Sequence, residues 1–250
     1  MQPSLPFAVE KFFQYAIMLS EEKTMNILFI DDYLVVCEKP VGVLSEYDDR
    51  RANMPTLLAT ELNGAPVTVL NRLDREVGGV MVFGIHPFAT AHINKQISDR
   101  TFKKEYFAVV EGVPEKKEGT LTDLLFHDKG KNKSYVVKRQ RNGVKQATLD
   151  FVVVDSVKQD GCEFSLIKIT LKTGRTHQIR VQFSSRGTPL VGDKKYGSKF
   201  GGNLTLWSHK VGFIHPKTKK VMEFALPLPQ VPPYTWFEFV KSGKTEAVGD

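Results

Sequence analysis

Two short stretches of this chain concentrate the side chains that can do chemistry. In Asn71-Arg72-Leu73-Asp74-Arg75 a carboxylate stands between two guanidiniums, with Gly78-Gly79 shortly after. Cationic neighbours favour the ionised form of a carboxylate, so Asp74 reads as a charged oxygen pair on a tight connection. Thr173-Gly174-Arg175-Thr176-His177-Gln178-Ile179-Arg180 ends an apolar run and opens a helical one. A helix N-terminus presents free N–H groups to anions. Each stretch also has a plain structural reading: an Asp closing a turn, and a capped helix with a polar first turn. Other chemistries lack their motifs. There is no Gly-rich loop followed by Lys-Ser/Thr, no dinucleotide fingerprint and no Ser set between glycines on a nucleophile elbow. The six histidines form no metal-binding helical pair, and Cys37 and Cys162 show no metal-ligand spacing. No metal and no organic cofactor is expected.

Elements that would position the two stretches follow from hydrophobic patterning. Ile27-Leu28-Phe29-Ile30, the pair Asp31-Asp32 and Tyr33-Leu34-Val35-Val36 predict a hairpin with an acidic turn, ended by Lys39-Pro40-Val41-Gly42. Pro55 to Leu62 reads as a short helix, Val67 to Leu70 as a strand leading into Asn71, and Val80 to Phe83 as a strand beyond the glycine pair. Pro87 to Arg100 is the clearest helix, with Pro at a first helical position and Ala89, Ile93 and Ile97 at four-residue spacing. Strands are predicted at Tyr106–Val110, Ser134–Lys138, Thr148–Val154, Glu163–Leu171, Leu204–Trp207, Lys210–Ile214 and Val221–Leu226. Thr176 to Arg186 reads as a helix capped by Thr176 and stopped by Gly187, and Pro232 to Val240 as a terminal helix. Strands outnumber helices without regular alternation. That favours an α+β fold: a large mixed, mostly antiparallel sheet with flanking helices and a central catalytic cleft.

The 250 residues carry 41% hydrophobic and 25% charged side chains, ordinary globular values that exclude a disordered or low-complexity chain. No apolar run reaches the roughly 18 residues of a membrane helix, and no secretory or transit pattern is seen, so a cytoplasmic protein is expected. Residues 1–24 read as an N-terminal extension, with a short helix over Val9 to Leu19, and 25–250 as one catalytic domain. The net charge is +7. Lys129, Lys131, Lys133, Lys138, Arg139, Arg141 and Lys145 fall between His127 and Gln146, and Lys194 and Lys195 belong to a second cluster between Arg186 and Lys220. Solvated loops account for such clusters taken singly. Two of them, with Tyr135, Tyr196 and Trp207 nearby, point to nucleic acid, because cations neutralise phosphates and aromatic faces stack on unpaired bases.

Taken together, five motifs in order give the chain a resemblance. Lys39-Pro40-Val41-Gly42, Leu70-Asn71-Arg72-Leu73-Asp74-Arg75-Glu76, Lys104-Glu105-Tyr106, Gly174-Arg175-Thr176-His177-Gln178-Ile179-Arg180-Val181, and Gly187 to Asp193 with Tyr196-Gly197 look like the RluA-type pseudouridine synthases. The resemblance covers Ile27 to about Leu228. It implies the pseudouridine synthase fold, RNA as substrate and no cofactor. Asp74 matches the catalytic aspartate, Tyr106 the tyrosine packed on the target uracil, and Arg180 the arginine paired with the catalytic carboxylate. Ile179 matches an apolar residue that contacts the base, and Arg72 the arginine that enters the RNA helix where the base has left. Lys39 and His177 are added as substrate-binding candidates. Lys129, Lys131, Lys133, Lys194 and Lys195 are added as contacts to the RNA backbone. Asn71, Val77-Gly78 and Gln182 depart from the usual pattern at positions that are not catalytic. Residues 1–24 are too short for the S4 RNA-binding domain of many members.

The reaction this implies breaks the bond from N1 to C1′ of a uridine, turns the base and bonds C5 to C1′. Nothing is oxidised. One ionised carboxylate suffices, whether it attacks the sugar, adds to the base or takes the 2′ proton; Tyr106 stacks on the base and assists proton loss from C5. The substrate would be structured ribosomal or transfer RNA, the enzyme a monomer with no obligate protein partner and no membrane association. Two other readings remain open at this level. One is a non-catalytic RNA-binding protein on the same fold, which gives no reason for Asp74 beside Arg180. The other is a glycosidase-like hydrolase, which needs two carboxylates where one strong candidate is seen.

Overall fold

β-branched and aromatic runs build a single sheet that positions every candidate residue. The computed structural model describes residues 25–243; the expected extension 1–24, with its helix, lies outside them. In chain order the elements are β1 (Ile27–Ile30), β2 (Leu34–Lys39), α1 (Met54–Glu61), β3 (Thr68–Val69), β4 (Gly78–Gly84), α2 (Pro87–Ser98) and β5 (Lys103–Glu111). Then come β6 (Glu118–Asp128), β7 (Lys133–Val137), β8 (Val144–Gln159), β9 (Cys162–Leu171), α3 (Gln178–Ser184), β10 (Leu206–Ile214), β11 (Val221–Ala225) and α4 (Glu238–Lys241). The fold is α+β. The main strand order is β1-β2-β4-β10-β5-β9-β8-β6-β7, with β3 on β4 and β11 on β10. Every pairing is antiparallel except that of β4 with β10.

That parallel seam is short. It joins Trp207 to Gly78 and Ser208 to Gly79. The two glycines let the strands close: a Cβ on Gly79, whose φ is +117°, would stand 2.2 Å from the Ser208 carbonyl oxygen. Side chains alternate across the sheet, giving two cores. One face, with Val35, Cys37, Met81, Ala108 and Ile167, packs under Met54 and Leu58 of α1 and Ile179 and Phe183 of α3. The other, with Leu34, Val36, Phe107 and Val109, packs against Ala89 and Ile93 of α2 and the C-terminal Phe237, Phe239 and Val240.

Several elements differ from expectation. β6 was not foreseen: its alternation is interrupted by Gly119 and Asp123, and it forms because β7 and β8 pair along both its edges. The two expected strands over 204–214 are one, β10, carrying a bulge between Ser208 and Lys210. The helix expected from Thr176 begins only at Gln178. His177 takes the N-cap position with a left-handed φ of 55° and makes no side-chain cap bond, because its ring is engaged elsewhere. The terminal helix expected from Pro232 is a 3-10 turn at Tyr234–Trp236 followed by the short α4.

Candidate active site

Asp74 lies in the connection from β3 to β4, and a set of hydrogen bonds fixes that connection. Asn71 is buried and its Oδ1 accepts the Val82 N–H at 2.7 Å. Ser45 Oγ donates to the Leu73 carbonyl at 2.7 Å and accepts the Leu73 N–H at 3.0 Å. The Gly42 N–H reaches the Arg75 carbonyl at 2.8 Å, and the Val77 N–H the Asp74 carbonyl at 3.0 Å. Lys39 completes the clamp. Its ammonium donates to the carbonyls of Pro40 (2.9 Å), Val43 (2.6 Å) and Arg75 (3.2 Å). Lys39 is fully buried and does not line the cleft, so it is not placed to touch substrate; it acts beneath the Asp74 loop. Burial pulls its pKa down to about 8, against the raising influence of Glu76 and Asp74.

Across the cleft, Arg180 rises from α3. Its Nη1 donates to Asp74 Oδ2 at 2.8 Å, while Nε and Nη2 grip the two oxygens of Asp193 at 2.7 and 2.9 Å. The Asp193 side chain has no exposure, Arg180 has 6% and Asp74 has 24%. Asp74 is thus the carboxylate of this trio that is open to a ligand. Burial works against the guanidinium charge, but the bonds and charges of Asp193, then Asp74, outweigh it and push the Arg180 pKa up. A fork held by two bonds on one side presents its third N–H in a set direction. Asp193 ends the Gly187–Asp193 motif, and its role as the anchor of Arg180 emerges only from these bonds.

His177 sits between the two halves of the site. Its Nδ1 is 3.0 Å from the Tyr196 hydroxyl, which accepts the Ser134 N–H at 2.7 Å, and its Nε2 is 3.7 Å from Asp74 Oδ2. Burial lowers its pKa, and the positive charges of Arg180 and Lys195 add to that against Asp74, so the ring is neutral near pH 7. Gln178 holds the preceding loop: its Oε1 accepts from Thr173 Oγ1 and the Arg175 N–H, and its Nε2 donates to the Thr148 carbonyl. Tyr106, on β5, is buried beneath the cleft and bonds Ser208. Burial first, then the nearby Asp74 charge, raise its pKa, so it stays a neutral phenol.

Asp74, Tyr106, His177, Gln178 and Arg180 line one cleft of about 1260 Å³, together with Arg72, Ile179, Lys104, Arg175 and Lys195. Arg72 is exposed on the rim, where Nη1 meets both oxygens of an equally exposed Glu46 at 3.1 and 2.9 Å. The basic clusters divide. Lys195 lines the cleft and donates to the Asn132 carbonyl at 2.9 Å. Lys129 and Lys131 stand exposed on the β6–β7 turn beside Asn132, and Lys133 covers the Tyr196 ring at 5.2 Å. Lys194 is exposed but off the cleft, and Arg186 is bound by Asp123.

Fold and site together define a carboxylate-centred enzyme whose cleft is lined with cations. The chain belongs to the RNA pseudouridylate synthase family, whose model matches residues 33–185. It is therefore an RNA pseudouridine synthase, an isomerase. It is 32% identical over 221 residues to the uncharacterized RNA pseudouridine synthase YhcT of Bacillus subtilis, covering 85% of this chain and 71% of that one. It is 30% identical over 222 residues to ribosomal large subunit pseudouridine synthase C of Buchnera aphidicola, covering 81% and 67%. The structure is similar to that of human RNA pseudouridylate synthase domain containing 4, with TM-score 0.70, 23% identity and coverage of 88% and 94%. At that identity the likeness speaks to the fold.

Proposed function

We propose that this enzyme isomerises uridine in ribosomal or transfer RNA, with Asp74 as the carboxylate that starts the reaction. The observation that carries the assignment is the 2.8 Å bond from Arg180 to an Asp74 whose loop is clamped on several sides while its carboxylate faces the cleft. The substrate nucleotide leaves its stack, at a cost of a few kcal/mol that is smallest in loops and bulges. Asp74 then acts at the nucleoside; the N1–C1′ bond breaks, the base turns, C5 bonds C1′, and the C5 proton is lost while N1 gains one. Tyr106 and Ile179 form the surface on which the uracil rests, with Tyr106 as a neutral phenol. His177 orients the clamp and is not the acid or base. Arg72 fills the vacated stack; its exposed pair with Glu46 is worth only about 0–1 kcal/mol and so releases it readily. Lys129, Lys131, Lys133 and Lys195 meet the backbone at one end of the cleft.

Residues 25–250 are taken as the catalytic unit, supported by the single sheet. A cytoplasmic monomer is part of the same proposal. The compartment rests on two unbridged thiols, Cys37 and Cys162. The test uses ribosomal and transfer RNA transcripts carrying tritium at C5 of uridine. Wild-type protein releases tritium to water, and Asp74→Asn binds the same RNA with release reduced to background. Release by Asp74→Asn within tenfold of wild type would remove Asp74 from the chemistry.

A further inference from the structure

The wall of the cleft beyond Tyr106 carries two cations with nothing to neutralise them among the described residues. Lys104 precedes Tyr106 by two residues on β5, so both point to the same face, about 7 Å apart along the strand. Cations around it are paired: Lys168 meets Glu105 at 3.1 Å, and Lys172 meets Asp150 at 2.7 Å. Lys104 is mostly buried, and no carboxylate or carbonyl among the described residues bonds its ammonium. Its close neighbours are the Gly174 backbone and the positive charge of Arg175. Arg175 uses only Nε, which donates to the Gln146 carbonyl at 3.1 Å; both terminal nitrogens are left over. Gly174 is needed here for space and not for its backbone angle: a Cβ would stand 3.1 Å from the Lys104 nitrogen and crowd it.

Holding a partly desolvated ammonium beside a second, exposed positive charge costs stability, and perturbed charges of this kind cluster where a ligand supplies the missing charge. Burial, reinforced by Arg175, lowers the Lys104 pKa, in keeping with a site built for an anion.

We propose that Lys104, Gly174 and Arg175 form a phosphodiester subsite that receives an RNA backbone phosphate next to the extruded uridine. The inference rests on RNA being the substrate. The uracil lies over Tyr106, the sugar faces Asp74, and the chain leaves the pocket past Lys104. Removing the ammonium while keeping the side-chain stem tests it. A fluorescein-labelled transfer RNA transcript is titrated with wild type and with Lys104→Met at about 50–200 mM salt, the range over which phosphate contacts show their salt dependence. The variant binds about tenfold more weakly, as expected for one charge-assisted contact. The slope of log affinity against log salt shrinks by about 0.7–0.9, the signature of one phosphate fewer. Gly174→Ala, which crowds the ammonium and leaves its charge, weakens binding in the same direction.

A purely structural lysine would behave otherwise. If Lys104 held the fold, Lys104→Met would melt lower; as a ligand group its replacement leaves Tm equal or higher. An unchanged salt slope with affinity within twofold of wild type overturns the subsite, as does a lower Tm with binding intact. Because the readout is binding, failure of tritium release would remove the proposed reaction while the salt slope still decides the subsite.

Discussion

Asp193 makes no contact with the cleft, yet its substitution by Asn is predicted to disable the enzyme. The Asp193 carboxylate holds Nε and Nη2 of Arg180, and Arg180 in turn holds Asp74. In Asp193→Asn the amide keeps one acceptor and loses both the charge and the second bond. Breaking a buried ion pair costs about 3–5 kcal/mol. Asp74 remains as a partner and one bond survives, so the lower end, about 3 kcal/mol, applies. For a chain of this size that lowers Tm by roughly 6–12 °C. The catalytic effect is separate. With one anchor instead of two, the Nη1 direction is no longer set, and a displacement near 1 Å costs about 100-fold in turnover. Tritium release at saturating RNA, well below the melting range where the variant is still folded, reads the second effect; calorimetry reads the first. A kcat within about threefold of wild type, alongside the lower Tm, would show that Asp193 supports the fold and does not aim the guanidinium.

Three further outcomes rest on the same geometry. Tyr106→Ala keeps RNA affinity within about tenfold, since phosphate contacts dominate binding, but loses turnover; lost binding with normal turnover of bound RNA contradicts its place under the uracil. Charge reversal at Lys129 and Lys131 flattens the salt dependence of RNA binding by about 1.5 in slope, and an unchanged slope would put the backbone elsewhere. Lys39 has a pKa of about 8 in the fold against 10.5 for an ordinary lysine. Between those values the unfolded chain holds a proton that the folded chain has shed, so stability from this group rises with pH across the window and is lost as pH falls through 8. Denaturant titrations should show wild type gaining on Lys39→Met by at most about 3 kcal/mol from pH 8 to 10.5; a gap that narrows over that range refutes it.

The sheet was largely legible because its strands are apolar enough to announce themselves. The hairpin at Ile27, the strand at Val80 and the helix at Pro87 appear within a few residues of where patterning puts them. β6 escaped because only two of its eleven residues are buried, and pairing partners make it a strand. The two late strands merged because a bulge at Ser208 hides continuity that only the partner strand reveals. Within the site, Asp74 and Arg180 were visible as a motif pair. Asp193 stands at the end of a motif, but its role is not legible there, because it depends on a bond spanning 13 positions and on complete burial. Lys39 was misplaced for the opposite reason: a lysine reads as a surface cation unless three carbonyls are seen around it.

The residues that meet in the cleft leave the ribosome at very different times. Asp74 emerges 106 residues ahead of Arg180, and the anchor for Arg180 follows 13 later. Between them lie β4 to β9 and α2, and the seam at Gly78 and Gly79 closes only once Trp207 and Ser208 have been made. A nascent chain therefore carries Asp74 without its Arg180 partner until α3 has been made. The pairing proposed to start the reaction is therefore complete only after every strand from β1 to β9 has been made.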